Sequence, residues 1–240
     1  MKRRPDPGEL SPLFRFDLEA AHAAGVSPLV AGVDEAGRGA LAGPLVAAAV
    51  AFDYACWTAE DYAALAGLDD SKRLRAVERV QLLGEIIPRA AQVTVVSCAA
   101  ASIDERGLHR CNLQALGEAL VALRPSPVVV HVDGFALREC PLAHRPVVRG
   151  DARSAAVAAA SIVAKVTRDA VMRGLHEIHA AWGFATHVGY ATPDHHRAIL
   201  QYGLCAQHRR SFASVAYRQL ELEWAGDGVQ SAEPVPDTIS

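Results

Sequence analysis

The sequence has no uncharged apolar run of about eighteen residues or more, because Asp, Arg or Lys interrupts its long Ala/Val stretches. A membrane-crossing helix is therefore not expected, and the chain should be soluble. It also lacks any CxxC pair. The five cysteines, Cys56, Cys98, Cys111, Cys140 and Cys205, are odd in number and widely spread, which speaks against a zinc or redox motif and suits reduced thiols in the cytosol. Positive charge is scarce too. Lys plus Arg number 24 against 27 Asp plus Glu, for a formal charge of -3 and a pI near 6.4. A protein that coats nucleic acid by bulk electrostatics usually runs strongly basic, so any nucleic-acid contact here has to be local. Met1-Lys2-Arg3-Arg4 resembles the charged start of an export signal, but Pro5, Asp6, Pro7 and Glu9 stand where the apolar stretch should follow. No export signal is expected, and a cytoplasmic location follows. There is no internal repeat.

What is present is enough apolar material, 51% of 240 residues, for one globular domain with an ordinary core. Residues 1–27 are polar and Pro-containing and read as a loosely held lead. Leu29 to Val33 is a short apolar run suited to a buried strand ending on Asp34-Glu35. After Gly37-Arg38-Gly39, the run from Pro44 to Phe52 reads as a strand returning antiparallel beside the first. Thr58 to Leu68 is helix-like, Asp69 to Lys72 is a polar segment able to cap a helix, and Ala76 to Pro88 is helical until proline stops it. Gln92 to Ala99 reads as a strand and Asp104 to Leu123 as one helix. Val128 to Val132 is an apolar strand followed by Asp133-Gly134, and Pro146 to Val148 a short strand followed by Arg149-Gly150-Asp151. A long Ala-rich helix follows from about Ser154 to His179, then loop and short helix from Trp182 to Tyr202. Residues 225–240 have the composition of a frayed acidic tail.

Strands running together in one sheet can bring Asp34, Glu35, Asp133 and Asp151 close although they lie far apart in sequence. Like charges a few ångströms apart raise one another's pKa, so such a cluster stays ionised only if cations neutralise it. An all-oxygen ligand set without a usable His/Cys group favours Mg²⁺ or Mn²⁺ over zinc. The competing view of any single Asp after a strand is a turn residue or helix cap. The recurrence of the pattern and the residues around the acids favour the functional view.

Asp34-Glu35-Ala36-Gly37-Arg38-Gly39, followed by Leu41-Ala42-Gly43-Pro44, closely resembles the signature that opens type II ribonucleases H. Further matches follow in the family's order: Asp70-Ser71-Lys72, Asp133-Gly134, Gly150-Asp151, the stretch Ala158 to Val166 with Arg168-Asp169, Gly189-Tyr190-Ala191-Thr192 with His195, and His208-Arg209-Arg210-Ser211-Phe212. The resemblance spans roughly residues 29–213. It implies an α/β, RNase H-like fold: a mixed five-stranded sheet flanked by helices, with a small helical C-terminal part, over a catalytic domain of residues 28–224. It also implies that Asp34, Glu35, Asp133 and Asp151 are catalytic and bind Mn²⁺ or Mg²⁺. The activity implied is hydrolysis of the RNA strand of RNA-DNA hybrids and a cut 5′ to single ribonucleotides in duplex DNA. Two-metal catalysis would leave 3′-hydroxyl and 5′-phosphate ends, and the uses would be ribonucleotide removal and primer clearance.

Gly37-Arg38-Gly39 would read the ribose, since residues without side chains let the backbone reach a 2′-hydroxyl; a plain hairpin turn explains the glycines but not the arginine. Tyr190 resembles the family tyrosine that packs on the sugar at an RNA-to-DNA junction, with a core aromatic as its alternative. Ser71 and Lys72 would touch backbone phosphates, and Arg73, Arg75, Arg209 and Arg210 could add local positive surface, although a solvated charged face is preferred for Arg73 and Arg75. Ser154 and Lys165 are further substrate candidates, against a helix N-cap for the first and pairing with Asp169 for the second. Arg149 stands where the family commonly has Lys, and Ala40 where it has Pro; Arg149 keeps the charge with altered geometry. His195 and His208 read as supporting rather than catalytic residues. Two rivals remain open, a junction resolvase of the same fold and a non-catalytic hybrid-binding protein. A monomer is implied. Gln219-Leu220-Glu221-Leu222 resembles the start of a sliding-clamp-binding peptide, but Glu223 stands where an aromatic is expected and a plain terminal helix competes.

Overall fold

The computed structural model describes residues 10–25, 29–69, 71–127, 129–212 and 217–218. Five strands, β1 (Leu29–Ala36), β2 (Leu45–Asp53), β3 (Gln92–Cys98), β4 (Val129–Asp133) and β5 (Arg145–Val147), form one sheet in the order β3-β2-β1-β4-β5. β1 and β2, and β2 and β3, are antiparallel, whereas β4 runs parallel to β1 and β5 parallel to β4. The mixed five-stranded sheet expected from the sequence is the one observed. β1 and β2 are almost wholly buried, as continuous apolar strands must be when helices cover both faces.

One face carries α1 (Pro12–Ala23), α2 (Ala59–Ala64), α3 (Ala76–Arg89) and the long α6 (Ala155–Ile178); the other carries α4 (Ala100–Arg106) and α5 (Leu108–Val121). The alanines of α6 serve close approach to β1. At Gly32 an added Cβ would stand 2.2 Å from the Ala156 carbonyl carbon and the Val157 amide nitrogen, so helix and strand touch through their backbones. Two short helices, α7 (Phe184–His187) and α8 (Pro193–Tyr202), make the small C-terminal helical part. All five cysteines are free thiols, and among the described residues no helix is long and apolar enough to cross a membrane.

Three expectations need correction. The lead of residues 1–27 is not loosely held throughout, because α1 docks on the core with Leu13, Phe14, Asp17 and Ala21 buried. The single helix expected from Asp104 to Leu123 is two, broken where Gly107 adopts a φ of 84°. Pro88 does not stop α3, which ends one residue later at Arg89. Asp70, the clamp-like peptide at residues 219–223 and the acidic tail lie outside the described residues.

Candidate active site

Because β1, β4 and β5 are parallel, their C-terminal ends open at the same edge of the sheet. Asp34 and Glu35 lie near the end of β1, Asp133 is the last residue of β4, and Asp151 sits in a 3₁₀ turn, Gly150–Ala152, just after β5. Consecutive strand residues face opposite sides. Asp34 accordingly meets Ser161 of α6, and Glu35 meets Asn112 of α5. The Asn112 carboxamide favours the ionised Glu35 from a loose approach, since neither amide atom closes a hydrogen bond of normal geometry. Asp34 Oδ1 accepts from the Glu35 amide at 2.7 Å, and Asp133 Oδ1 accepts from the Gly150 amide at 2.7 Å.

Burial lifts the Asp34 carboxyl well above the usual carboxylate range, and the charges of Glu35 and Asp133 lift it further against the Ser161 hydrogen bond. Burial also raises Glu35, opposed by Arg38 and reinforced by Asp133. Asp34, Glu35 and Asp133 are thus gathered closely enough to repel, an electrostatic deficit that a cation would remove. Among the described residues no three His, Cys, Asp or Glu side chains are closed into a ready-made cage. Hard divalent ions that keep several waters need only one or two carboxylates and no full cage, so the oxygen-only set fits Mg²⁺ or Mn²⁺.

Two buried arginines brace the loop between β1 and β2. Arg168 of α6 donates from Nε to Pro44 O (2.9 Å), from Nη1 to Val188 O (2.9 Å) and from Nη2 to Ala42 O (3.0 Å). Arg209 donates from Nε and Nη2 to Gly43 O (3.1 and 3.0 Å) and from Nη1 to Arg38 O (3.0 Å). Gly37, at φ 86°, has no space for a side chain, since a Cβ would stand 1.9 Å from Arg168 Nε; a Cβ on Gly39 would meet nothing within 4 Å. The turn geometry alone therefore explains Gly37 but not Gly39.

The amides of Leu41 and Ala42 both donate to Gly189 O, at 2.8 and 3.2 Å, which ties the loop directly to the residue before Tyr190. That segment is strained: Val188, a β-branched residue, holds a φ of 44°, and such outliers cluster at functional sites. Tyr190 is half-buried beneath two cations, Lys165 Nζ 5.3 Å and Arg168 Cζ 5.2 Å from its ring centre. Its carbonyl accepts from His195 Nδ1 at 3.0 Å, and His195 Nε2 meets His208 Nε2 at 3.1 Å. With Nδ1 donating, His195 Nε2 accepts from His208. Burial holds His195 down to about 4 and His208 to about 3, so both are neutral supports.

Other candidates fall differently. Arg38, Lys72 and Arg149 are exposed, Arg38 lying 3.8 Å from Glu35 and Arg149 holding a left-handed φ of 54°. Lys165 pairs with Asp169 at 2.7 Å. Arg73 and Arg75 pair with Asp69 and Glu78 on a solvated face. Ser71 is buried and bonds Ser161 Oγ at 2.8 Å, beneath Asp34 rather than out where a phosphate would pass. Ser154 is fully buried as the N-cap of α6, accepting from the Val157 amide, and its place as a substrate contact is corrected. Arg209 is likewise no part of a positive surface, because it is fully buried. Sequence reasoning gave no role to Arg168 or Asn112. The place of Arg168 beside Asp169 in the matched stretch of the alanine-rich helix, and an Asn between Cys111 and Leu113 on a buried face, are the available signals.

A family model, Ribonuclease HII, matches residues 31–215. A Ribonuclease HII of Geobacillus kaustophilus is 46% identical over 203 residues, covering 85% of this chain and 74% of that protein. The ribonuclease H2 structure from Pyrococcus horikoshii superimposes with a TM-score of 0.69 at 28% identity, covering 82% of this chain and 99% of that one. A structure described as the PCNA:RNase HII complex from Archaeoglobus fulgidus superimposes at 0.66 and 28% identity, covering 78% and 96%. On the strength of the family match and of these likenesses, the chain belongs to the ribonuclease HII family and is a nuclease of the ribonuclease H type.

Proposed function

We propose that this enzyme hydrolyses the RNA strand of RNA-DNA hybrids and cuts 5′ to single ribonucleotides within duplex DNA, acting as a cytoplasmic monomer in ribonucleotide repair and in primer removal during DNA replication. The observation that carries this reading is the pair of hydrogen bonds that the Leu41 and Ala42 amides donate to the Gly189 carbonyl. It sets the Gly37–Gly39 loop and Tyr190 side by side at the edge where Asp34, Glu35 and Asp133 interact. A ribose entering there would meet backbone at Gly39, where no side chain intervenes, and its neighbouring sugar would rest on the Tyr190 ring. Asp34, Glu35, Asp133 and Asp151 would hold Mg²⁺ or Mn²⁺. Bound there, a pair of such ions would supply a water of lowered pKa and stabilise the departing 3′ oxygen. Arg38 offsets part of the repulsion at Glu35, as does Lys72, and both, with Arg149, are exposed where phosphates would approach. Lys165 reaches the same space over Tyr190.

The test is an end-labelled DNA duplex containing one ribonucleotide, with an uninterrupted hybrid, an all-DNA junction and a metal-free lane beside it. A single metal-dependent cut 5′ to the ribonucleotide, leaving a 3′-hydroxyl, is expected. Cutting of uninterrupted hybrids alone would remove the junction-reading role; cutting of the junction would support a resolvase. The archaeal relative's complex with PCNA makes a bacterial clamp the partner to test against residues 219–223.

A further inference from the structure

α1 precedes the residues matched by the family model, yet it carries a carboxylate with four hydrogen-bond partners. Asp17 is fully buried. Its Oδ1 accepts from Ser154 Oγ at 2.6 Å and faces His131 Nδ1 at 3.1 Å, while Oδ2 accepts from Tyr54 Oη at 2.8 Å and from the Ala156 amide at 2.9 Å. A buried carboxylate is tolerated only when its lone pairs are filled in this way.

The four donors are not scattered. The hydroxyl of Ser154 spends its one proton on Asp17, which leaves its lone pairs facing the Val157 amide and His131 Nδ1 (3.3 and 3.2 Å). The Ala156 amide is one of the first amides of α6, which lack partners within the helix. Ser154 and Arg153 both donate backbone amides to Gly150 O (2.8 and 3.0 Å), closing the turn that carries Asp151, and the Gly150 amide in turn holds Asp133 Oδ1. His131 stands on β4 two residues before Asp133 and so faces the same side of the sheet. One carboxylate on α1 therefore grips both the strand that presents Asp133 and the helix entry that fixes the Asp151 turn.

We infer that Asp17 is a positioning residue for the acid cluster, setting the separation of Asp133 and Asp151 and through it the affinity for the divalent ion. This rests on the proposal that those two acids are metal ligands. Residues that orient metal ligands from behind typically change metal affinity or activity by about tenfold to a hundredfold when altered.

Asp17→Asn keeps the shape but turns one acceptor into a donor, which must then oppose either the Ala156 amide or the Ser154 and His131 side. The Mn²⁺ concentration for half-maximal cleavage should rise about tenfold or more, with KM for the hybrid unchanged. Direct Mn²⁺ binding, followed by the electron paramagnetic resonance of the free ion, should weaken in parallel. Ser154→Ala should do the same, the double variant no worse than the stronger single, and it carries the test if Asp17→Asn does not fold. Phe14→Leu loosens the same helix in its aromatic cluster with Tyr54, Trp57 and Tyr62 without touching the carboxylate; it should lower the melting temperature and leave the metal requirement alone. Wild-type Mn²⁺ binding in Asp17→Asn and Ser154→Ala, or an equal loss in Phe14→Leu, would overturn the inference while an inactive Asp133→Asn left the acid cluster standing. An active Asp133→Asn would bring down the acid assignment itself, and this inference with it.

Discussion

Adding one methyl group at Gly37 and one at Gly39 should produce two different failures two residues apart. At Gly37 the methyl would stand 1.9 Å from Nε, 2.4 Å from Cδ and 2.8 Å from Cζ of Arg168. That guanidinium cannot swing aside cheaply, because it is fully buried and fixed by three carbonyls. A left-handed φ adds strain of about 1–2 kcal/mol for a residue with a Cβ. Each hydrogen bond lost from a charged group adds about 1.5–3 kcal/mol, so with the strain, losing one or two gives a total of about 2.5–8 kcal/mol. Against the roughly 5–15 kcal/mol that holds a typical protein together, this is severe. At about 2–4 °C per kcal/mol for a chain of this size, Gly37→Ala should melt about 5–32 °C lower. Gly39→Ala meets nothing within 4 Å and should stay within about 0.5 kcal/mol of wild type. Its methyl would instead fill the space proposed for the ribose. Losing one hydrogen bond to the 2′-hydroxyl, at about 1.5 kcal/mol, means at least about a tenfold slower cut. Melting by circular dichroism and initial rates on the one-ribonucleotide duplex separate the two. Gly37→Ala melting within about 2 °C of wild type would refute the packing account, and a wild-type rate for Gly39→Ala would refute the ribose-reading account.

Asp34→Asn should abolish cleavage and raise the melting temperature of the metal-free protein, because it removes a carboxyl whose ionisation is penalised by burial and by Glu35 and Asp133; a less stable variant would contradict that origin of the shift. The same shift fixes a pH dependence. With a folded pKa above the unfolded one, the folded state holds its proton longer, so metal-free stability falls as pH rises from the ordinary carboxylate range through the raised value and stays low above it. Since a divalent ion removes the penalty, Mn²⁺ should raise the melting temperature more at about pH 8 than at about pH 5, and an equal gain at both would refute the coupling. Tyr190→Ala should slow cleavage at a single ribonucleotide more than cleavage of an uninterrupted hybrid; equal slowing would reduce Tyr190 to a packing residue beneath Lys165 and Arg168.

The strands and their acids were legible because the signal is local. An apolar run followed by a carboxylate says where a strand stops, and repetition of that pattern at Asp34, Asp133 and Asp151 says more than any one instance. The α1 helix does carry a local signal, Ser11-Pro12 at its start and the apolar Leu13, Phe14, Leu18 and Ala21 along one face, which the Pro-containing, charged residues before it outweigh when residues 1–27 are read as one lead; the meaning of Asp17, however, depends on Ser154, 137 residues away. Arg209 and Arg210 are adjacent and identical in sequence, yet the first is buried against Gly43 and the second exposed; no local pattern separates them. The break at Gly107 was invisible for another reason. A glycine inside a helical pattern costs only about 1 kcal/mol, so its presence does not announce a positive φ.

The distribution of charge around the site has a logic of its own. The buried arginines Arg168 and Arg209 aim their donors at backbone carbonyls of the neighbouring loops. They stiffen the loops without discharging the cluster. The groups that dominate the shift at Asp34 include no cation, and the cations that lower Glu35, Arg38 and Lys72, stand exposed. Had Arg168 reached Asp34, the fold would be more stable and the edge electrically satisfied, with less to offer a divalent ion. Keeping the buried arginines on carbonyls preserves the repulsion among Asp34, Glu35 and Asp133, and that repulsion is the physical ground for the cation proposed at this edge of the sheet.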